Sequence, residues 1–134
     1  KSWHDDKEGA ERGENIIFTL QIDGVIICHL GDLGVPLSEK QVELIGDIDV
    51  LLIPVGGKFT IGPSQAAAVI EELSPSIVVP MHYKAAGMSG EFAQLITVDE
   101  FLEKAGYGGA KREEKLVVTK ATLPEEMEVV VLSI

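Results

Sequence analysis

Val25-Ile26-Ile27-Cys28-His29-Leu30-Gly31-Asp32-Leu33-Gly34 is the stretch that decides the fold. Apart from His29, residues 25–30 are apolar on both alternating faces, the pattern of a strand buried on both sides in the interior of a covered sheet. The run stops at Gly31-Asp32. A carboxylate directly beyond a buried strand needs a partner to offset its desolvation: a metal, a base or a set of backbone N–H groups.

Upstream, Asp23-Gly24 separates this strand from a partly alternating run over residues 15–22. Asp-Gly between two β-rich runs predicts a two-residue hairpin, because a type I′ turn needs positive φ at both central positions. Such a turn fixes the register: Ile22 pairs with Val25 and, with no bulge, Asn15 lies opposite Asp32. The polar stretch before it, residues 1–14, reads as a loop, and the register delivers its His4 to the same end of the sheet as Asp32.

Downstream the period changes. Ser38 and Gln41 form a capping box ahead of an apolar stripe of Val42, Leu44 and Ile45, closed by Gly46. Residues 49–54 are the next buried strand, ended by Val55-Gly56-Gly57. Pro63 opens a helix through Ala66, Ala67, Val69, Ile70 and Leu73, which Pro75 stops. Ile77-Val78-Val79 is a third strand, closed by Pro80-Met81-His82-Tyr83. Strand, helix, strand, helix, strand with short connections predicts two βαβ units, three parallel strands and right-handed crossovers. Their carboxyl ends then share the edge where α/β sheets bind ligands, and that edge carries Asp32, Gly56-Gly57 and His82. Residues 84–94 form a loop placed to cover it. A capped helix over 97–104, strands over 116–119 and 129–132, and a turn over 121–126 complete the chain.

Composition bounds the function. The 134 residues, 46% of them hydrophobic, suffice for one core and one domain, residues 1–134. Eleven Lys and Arg against 22 Asp and Glu give a net charge of −11, which argues against nucleic acid as a partner, since phosphate backbones are bound by basic stripes. Apolar runs such as residues 48–55 are too short and interrupted to cross a bilayer, so no membrane association is expected. One cysteine permits no internal disulfide and no cysteine-based zinc cluster, which fits a reducing, cytoplasmic setting.

The chemistry gathers in His4, Asp32 and His82, three metal-competent side chains on three loops at one sheet edge. Imidazole and carboxylate suit zinc, iron or manganese better than calcium or magnesium. Each of the other polar residues carries a structural reading beside a functional one. His29 points to the face opposite Cys28 and reads as a packed, hydrogen-bonded histidine, and Cys28 as an inert core thiol. Asp5 and Asp6 read as solvated loop charges, one of which could orient His4; Arg12 reads as a loop ion-pair partner rather than a substrate clamp. Gly56-Gly57 with Thr60 divides evenly between a turn with a cap and a substrate loop.

Five segments together, Trp3-His4-Asp5-Asp6, Glu11-Arg12-Gly13-Glu14-Asn15, His29-Leu30-Gly31-Asp32-Leu33-Gly34, Ile53-Pro54-Val55-Gly56-Gly57 with Phe59-Thr60, and Pro80-Met81-His82-Tyr83, resemble the later half of the metallo-β-lactamase superfamily. The nearest branch is the small Zn-dependent hydrolases grouped with ascorbate-lactonase-like proteins. The resemblance implies an α/β fold, the C-terminal portion of an αββα sandwich with two metals between its sheets. It implies that His4 completes the first metal site, Asp32 bridges both metals and His82 binds the second. Asp32 and His82 would then be the catalytic residues, with zinc (or manganese or iron) as cofactor, a metal-held hydroxide as nucleophile and a small-molecule substrate.

The family's His-x-His-x-Asp-His run is absent, and the only histidines are His4, His29 and His82. Half the expected ligand set is missing, so the resemblance implies a truncated domain, inactive by itself, whose partner is a missing N-terminal half or a second copy of the chain. The alternative reading is a non-catalytic half-domain that associates with another chain or with itself.

Overall fold

A computed structural model describes residues 1–133. The chain opens with two short antiparallel strands, β1 (Ser2–Trp3) and β2 (Glu14–Asn15), which form a separate two-stranded sheet around the loop between them. Then comes the hairpin of β3 (Phe18–Ile22) and β4 (Val25–His29). Its turn has the two positive φ values that Asp-Gly supplies, 49° at Asp23 and 82° at Gly24. Ile22 faces Val25 and Phe18 faces His29, the register that the two-residue loop dictates.

Helix α1 (Glu39–Ile45), strand β5 (Val50–Pro54), helix α2 (Pro63–Leu73), strand β6 (Ile77–Met81), helix α3 (Val98–Ala105) and strands β7 (Lys111–Glu113) and β8 (Glu128–Leu132) follow. The main sheet runs β3-β4-β5-β6-β8-β7, antiparallel only in the hairpin. The capping boxes of α1 and α3 form as their sequences dictate: Ser38 caps with Gln41, Thr97 with Glu100. Gly46 and Gly106 end these helices with positive φ.

Alternation along the strands divides the sheet into two apolar faces. On one, Cys28, Leu51, Ile53, Val78, Val129 and Val131 pack under α2 (Ala66, Val69, Ile70, Leu73) and α3 (Val98, Phe101, Leu102). The Cys28 thiol lies in this layer, and its desolvation pushes its pKa up to about 11, consistent with an inert core thiol. On the other face, Val25, Val50, Ile77, Val79 and Val130 form a smaller cluster, packed against Leu116, Val118 and Leu123.

Three local expectations change. Leu44 lies 76% exposed rather than on the packed stripe of α1; Val42 and Ile45, three apart, share the core-facing side, whereas Leu44 falls between them on the outer side. Residues 15–22 are not one strand: Asn15 pairs with Ser2 in the small sheet, and the ladder restarts at Phe18. Residues 116–119 form no strand, and the pairing falls to Lys111–Glu113 along β8. The stretch alternates as a strand would, with Val117 outward at 69% exposure, but Leu116 and Val118 cover the second sheet face as an irregular strap.

An ion pair from the exposed Lys120 to the buried Asp49 fastens that strap. Lys120 donates to both carboxylate oxygens of Asp49 at 2.8 Å, and the Ile26 N–H donates to Asp49 Oδ2 at 2.8 Å. Burial raises the Asp49 pKa, but Lys120 and the Ile26 N–H together outweigh it and hold the carboxyl below its ordinary value. A depressed carboxyl stabilises the fold above its ordinary pKa, and that contribution disappears as pH falls through the lower folded value. Asp49→Ala strands the Ile26 N–H and frees the strap, with an expected loss of roughly 2–3 kcal/mol in urea unfolding at neutral pH. The gap between wild type and variant should close when the melts are repeated in acid below the carboxylate range; a gap unchanged by acid would mean that the carboxylate charge contributes nothing.

Candidate metal centre

The carboxyl ends of β4, β5 and β6 lie side by side, because parallel strands joined through helices all point one way. Asp32 follows β4 by three residues, Gly56 follows β5 by two, and His82 directly follows β6.

Asp32 is positioned through its backbone. Asn15, buried, donates from Nδ2 to Ser2 Oγ and to the Leu30 carbonyl, both at 2.8 Å, and its Oδ1 accepts the Asp32 N–H at 2.9 Å. One amide thus ties the small sheet to the end of β4. Gly31 makes the approach possible: with φ at 62°, a Cβ there would lie 2.3 Å from Asn15 Oδ1. The sequence placed Asn15 opposite Asp32 by register, but its clamping role depends on a side-chain direction that register does not give. His29 is hydrogen-bonded as expected, its Nδ1 accepting the Gly31 N–H at 3.0 Å.

His82 is held in an uncommon conformation, φ 54°, which non-glycine residues adopt at a cost of order 1–3 kcal/mol. Its surroundings enforce it. The Met81 carbonyl accepts from Val55 N–H, and the Lys84 N–H donates to the Ile96 carbonyl. The Ile96 N–H in turn donates to Gly56, whose bare Cα lets the His82 carbonyl sit where a Cβ would be only 2.0 Å away. The turn brings the imidazole to Asp32, with Nε2 at 3.7 Å from Oδ1. That is too long for a hydrogen bond. It suits two atoms that share one ion, since Zn–N and Zn–O bonds of about 2.0–2.2 Å span such a gap.

His4 reaches the same edge by another route. The Gly34 N–H donates to the Trp3 carbonyl at 3.0 Å, and the His4 carbonyl presses on Gly34, where a Cβ would lie 2.3 Å from it. His4 therefore stands beside the residue two past Asp32. The loop that carries it is organised by Asp5, which corrects the solvated-charge reading: its carboxylate is buried and accepts the N–H groups of Lys7, Gly9, Glu11 and Arg12 at 2.7–3.1 Å. Burial raises the Asp5 pKa, and the four donors, Arg12 foremost, more than reverse it, leaving the carboxyl below its ordinary value.

Two buried side-chain nitrogens among the described residues lack a hydrogen-bond partner, His4 Nε2 and His82 Nδ1. An orphaned buried polar atom costs about 1–3 kcal/mol. His82 Nδ1 is not the nitrogen that approaches Asp32, so an ion shared by Nε2 and Oδ1 would leave it unpartnered, and His4 Nε2 is the orphan that a bound ion would satisfy. Two imidazoles and a carboxylate are the donor chemistry of a zinc-type ion. Their convergence is partial: Asp32 and His82 meet, whereas among the described residues no three His, Cys, Asp or Glu side chains cluster closely enough to hold a metal ion.

The α/β sheet thus pairs a carboxylate with an imidazole at its carboxyl edge, on loops that follow neighbouring parallel strands. The sequence profile of the beta-lactamase superfamily domain matches residues 1–82, and the chain belongs to that family. A UPF0173 metal-dependent hydrolase of Thermococcus onnurineus is 40% identical over 101 residues, covering 71% of this chain and 45% of the relative. Another from Thermococcus kodakarensis is 44% identical over 85 residues, covering 61% and 38%. Among solved structures, a candidate Zn-dependent hydrolase of the metallo-beta-lactamase superfamily from Thermotoga maritima superposes with a TM-score of 0.79 at 42% identity, over 90% of this chain and 59% of that one. The chain thus spans less than half the length of these curated relatives. No described helix is long and apolar enough to cross a membrane.

Proposed function

We propose that the chain supplies one part of the active site of a metal-dependent hydrolase, with His4, Asp32 and His82 as its metal-binding residues and zinc as the metal. The observation that carries this is the 3.7 Å approach of His82 Nε2 to Asp32 Oδ1, made by a histidine in a strained backbone conformation. When bound, such a metal supplies Lewis acidity and a water acidic enough to serve as nucleophile at neutral pH. The chain's own contribution is placement. Asn15 sets the Asp32 backbone, Gly56 sets His82, and the Asp5-centred loop sets His4. The substrate is a small molecule with a hydrolysable acyl or phosphoryl bond.

The exposed apolar row on β3 favours a companion reading, that this sheet face associates with a further polypeptide segment bearing the remaining metal ligands or with a second copy. On this proposal the chain alone is inactive and holds zinc weakly. In calorimetric titration we expect weak zinc uptake that drops further in Asp32→Ala and in His82→Ala, and tight binding only when a segment carrying a His-x-His-x-Asp-His run is added. Two tightly held metals in the isolated chain, or uptake unchanged in both variants, would remove the reading.

A further inference from the structure

Three loops at the metal-binding edge share a second feature. The Arg12 guanidinium lies 5.7 Å from the centre of the Phe59 ring, and Phe59 meets Phe92 edge-on, with centroids 5.8 Å apart at 61°. Arg12 comes from the His4 loop, where Asp5 accepts its N–H at 2.7 Å. Phe59 comes from the turn after β5, which is tied to the residue next to Asp32 by the Ile61 N–H donating to the Leu33 carbonyl at 2.8 Å. Phe92 comes from the 3₁₀ turn Gly90–Gln94 on the segment that follows His82, and is 56% exposed.

In a chain of net charge −11, an arginine is expected to be paired with a carboxylate, yet among the described residues Arg12 forms no ion pair. Two carboxylates flanking it in sequence are engaged elsewhere: Glu11 with Lys7, and Glu14 with Lys1 at 2.6 Å. Stacking on Phe59 restrains the guanidinium while leaving its fork of N–H donors uncommitted, the geometry that suits two oxygens of a carboxylate or phosphate. The protein's overall negative field repels anions, so a local cation is what would admit one.

We propose that Arg12 reads a carboxylate or phosphate group on the substrate, while Phe59 and Phe92 hold the apolar part next to it. This rests on the hydrolase reading for what happens to the bound molecule, but the recognition itself needs no metal.

The test uses protein stripped of metal by chelator and follows benzoate, phenyl phosphate and the uncharged benzamide by NMR shift titration. Both anions should bind at least about tenfold more tightly than benzamide, with a preference that shrinks in high salt. Arg12→Gln should abolish the preference and Arg12→Lys should keep part of it; Arg12 is exposed, so both variants should fold. Phe59→Leu should weaken all three ligands. Equal binding of anions and amide, or a preference that survives Arg12→Gln, overturns the proposal. Zinc titration reports on the hydrolase reading separately, so the two can fail independently.

Discussion

Gly56→Ala is expected to destabilise the protein by roughly 3 kcal/mol and, at the same time, to pull His82 away from Asp32. The new Cβ would lie 2.0 Å from the His82 carbonyl oxygen and 3.2 Å from a methyl of Leu95. Leu95 can yield, but the carbonyl belongs to a backbone already held at φ 54° and braced from both sides. The strain must therefore be relieved by moving the turn that aims the imidazole. Gly57→Ala is the control. Its φ of 66° disfavours a side chain, yet its Cβ would meet nothing nearer than 3.8 Å, so it should cost only about 1 kcal/mol and leave His82 in place. Chemical unfolding gives the two stabilities, and the His82 ring resonances report the displacement. Equal effects of the two substitutions would mean that the close approach at Gly56 is not what positions His82.

This pair of glycines shows how far the sequence could be read. Gly56-Gly57 was evenly balanced between a turn and a substrate loop; the structure shows that Gly56 is needed for the approach of another strand's end, a contact 26 residues away that no local pattern announces. The apolar run of β4, the Asp23-Gly24 register and the capping boxes were legible because each depends on neighbours within a few residues, and so was the shared edge of Asp32 and His82, which follows from parallel topology. Asp5 was not legible: a carboxylate beside Asp6 in a charged loop looks solvated until the chain curls four of its own N–H groups inward. Nor was the edge strand β7. Lys111-Arg112-Glu113 has little strand propensity, but an outermost strand tolerates charge, and β8 offered it an open side. Leu116-Val117-Val118-Thr119 has the propensity, but burial of Leu116 and Val118 on the second sheet face decided its course.

The larger effect concerns association. In the β3–β4 ladder Phe18, Leu20 and Ile22 stand opposite His29, Ile27 and Val25, so all three point to the face away from α2 and α3. They remain 54%, 50% and 54% exposed, and Ile16 extends the row at 52%. The strap through Leu116 and Val118 covers the middle of this face but not the β3 side, where Ile22, Val25, Ile27, Val50 and Leu52 line part of an open groove. Three large apolar side chains half in water on one strand, with Ile16 exposed just before it, approach the few hundred Å² at which a patch signals an interface. β3 is also an edge, with unpaired backbone groups along one side. We therefore expect the 134-residue chain to self-associate at micromolar concentration in light scattering, and Phe18→Thr, Leu20→Thr, Ile22→Thr together to return it to a monomer. Threonine keeps the strand preference while removing most of the apolar area, so the variant should stay folded by circular dichroism. Adding a polypeptide that bears the remaining metal ligands should compete with self-association in the wild type and fail to bind the triple variant. A wild-type chain that is monodisperse and monomeric, and that ignores such a segment, would show that this face needs no cover and would remove the companion reading.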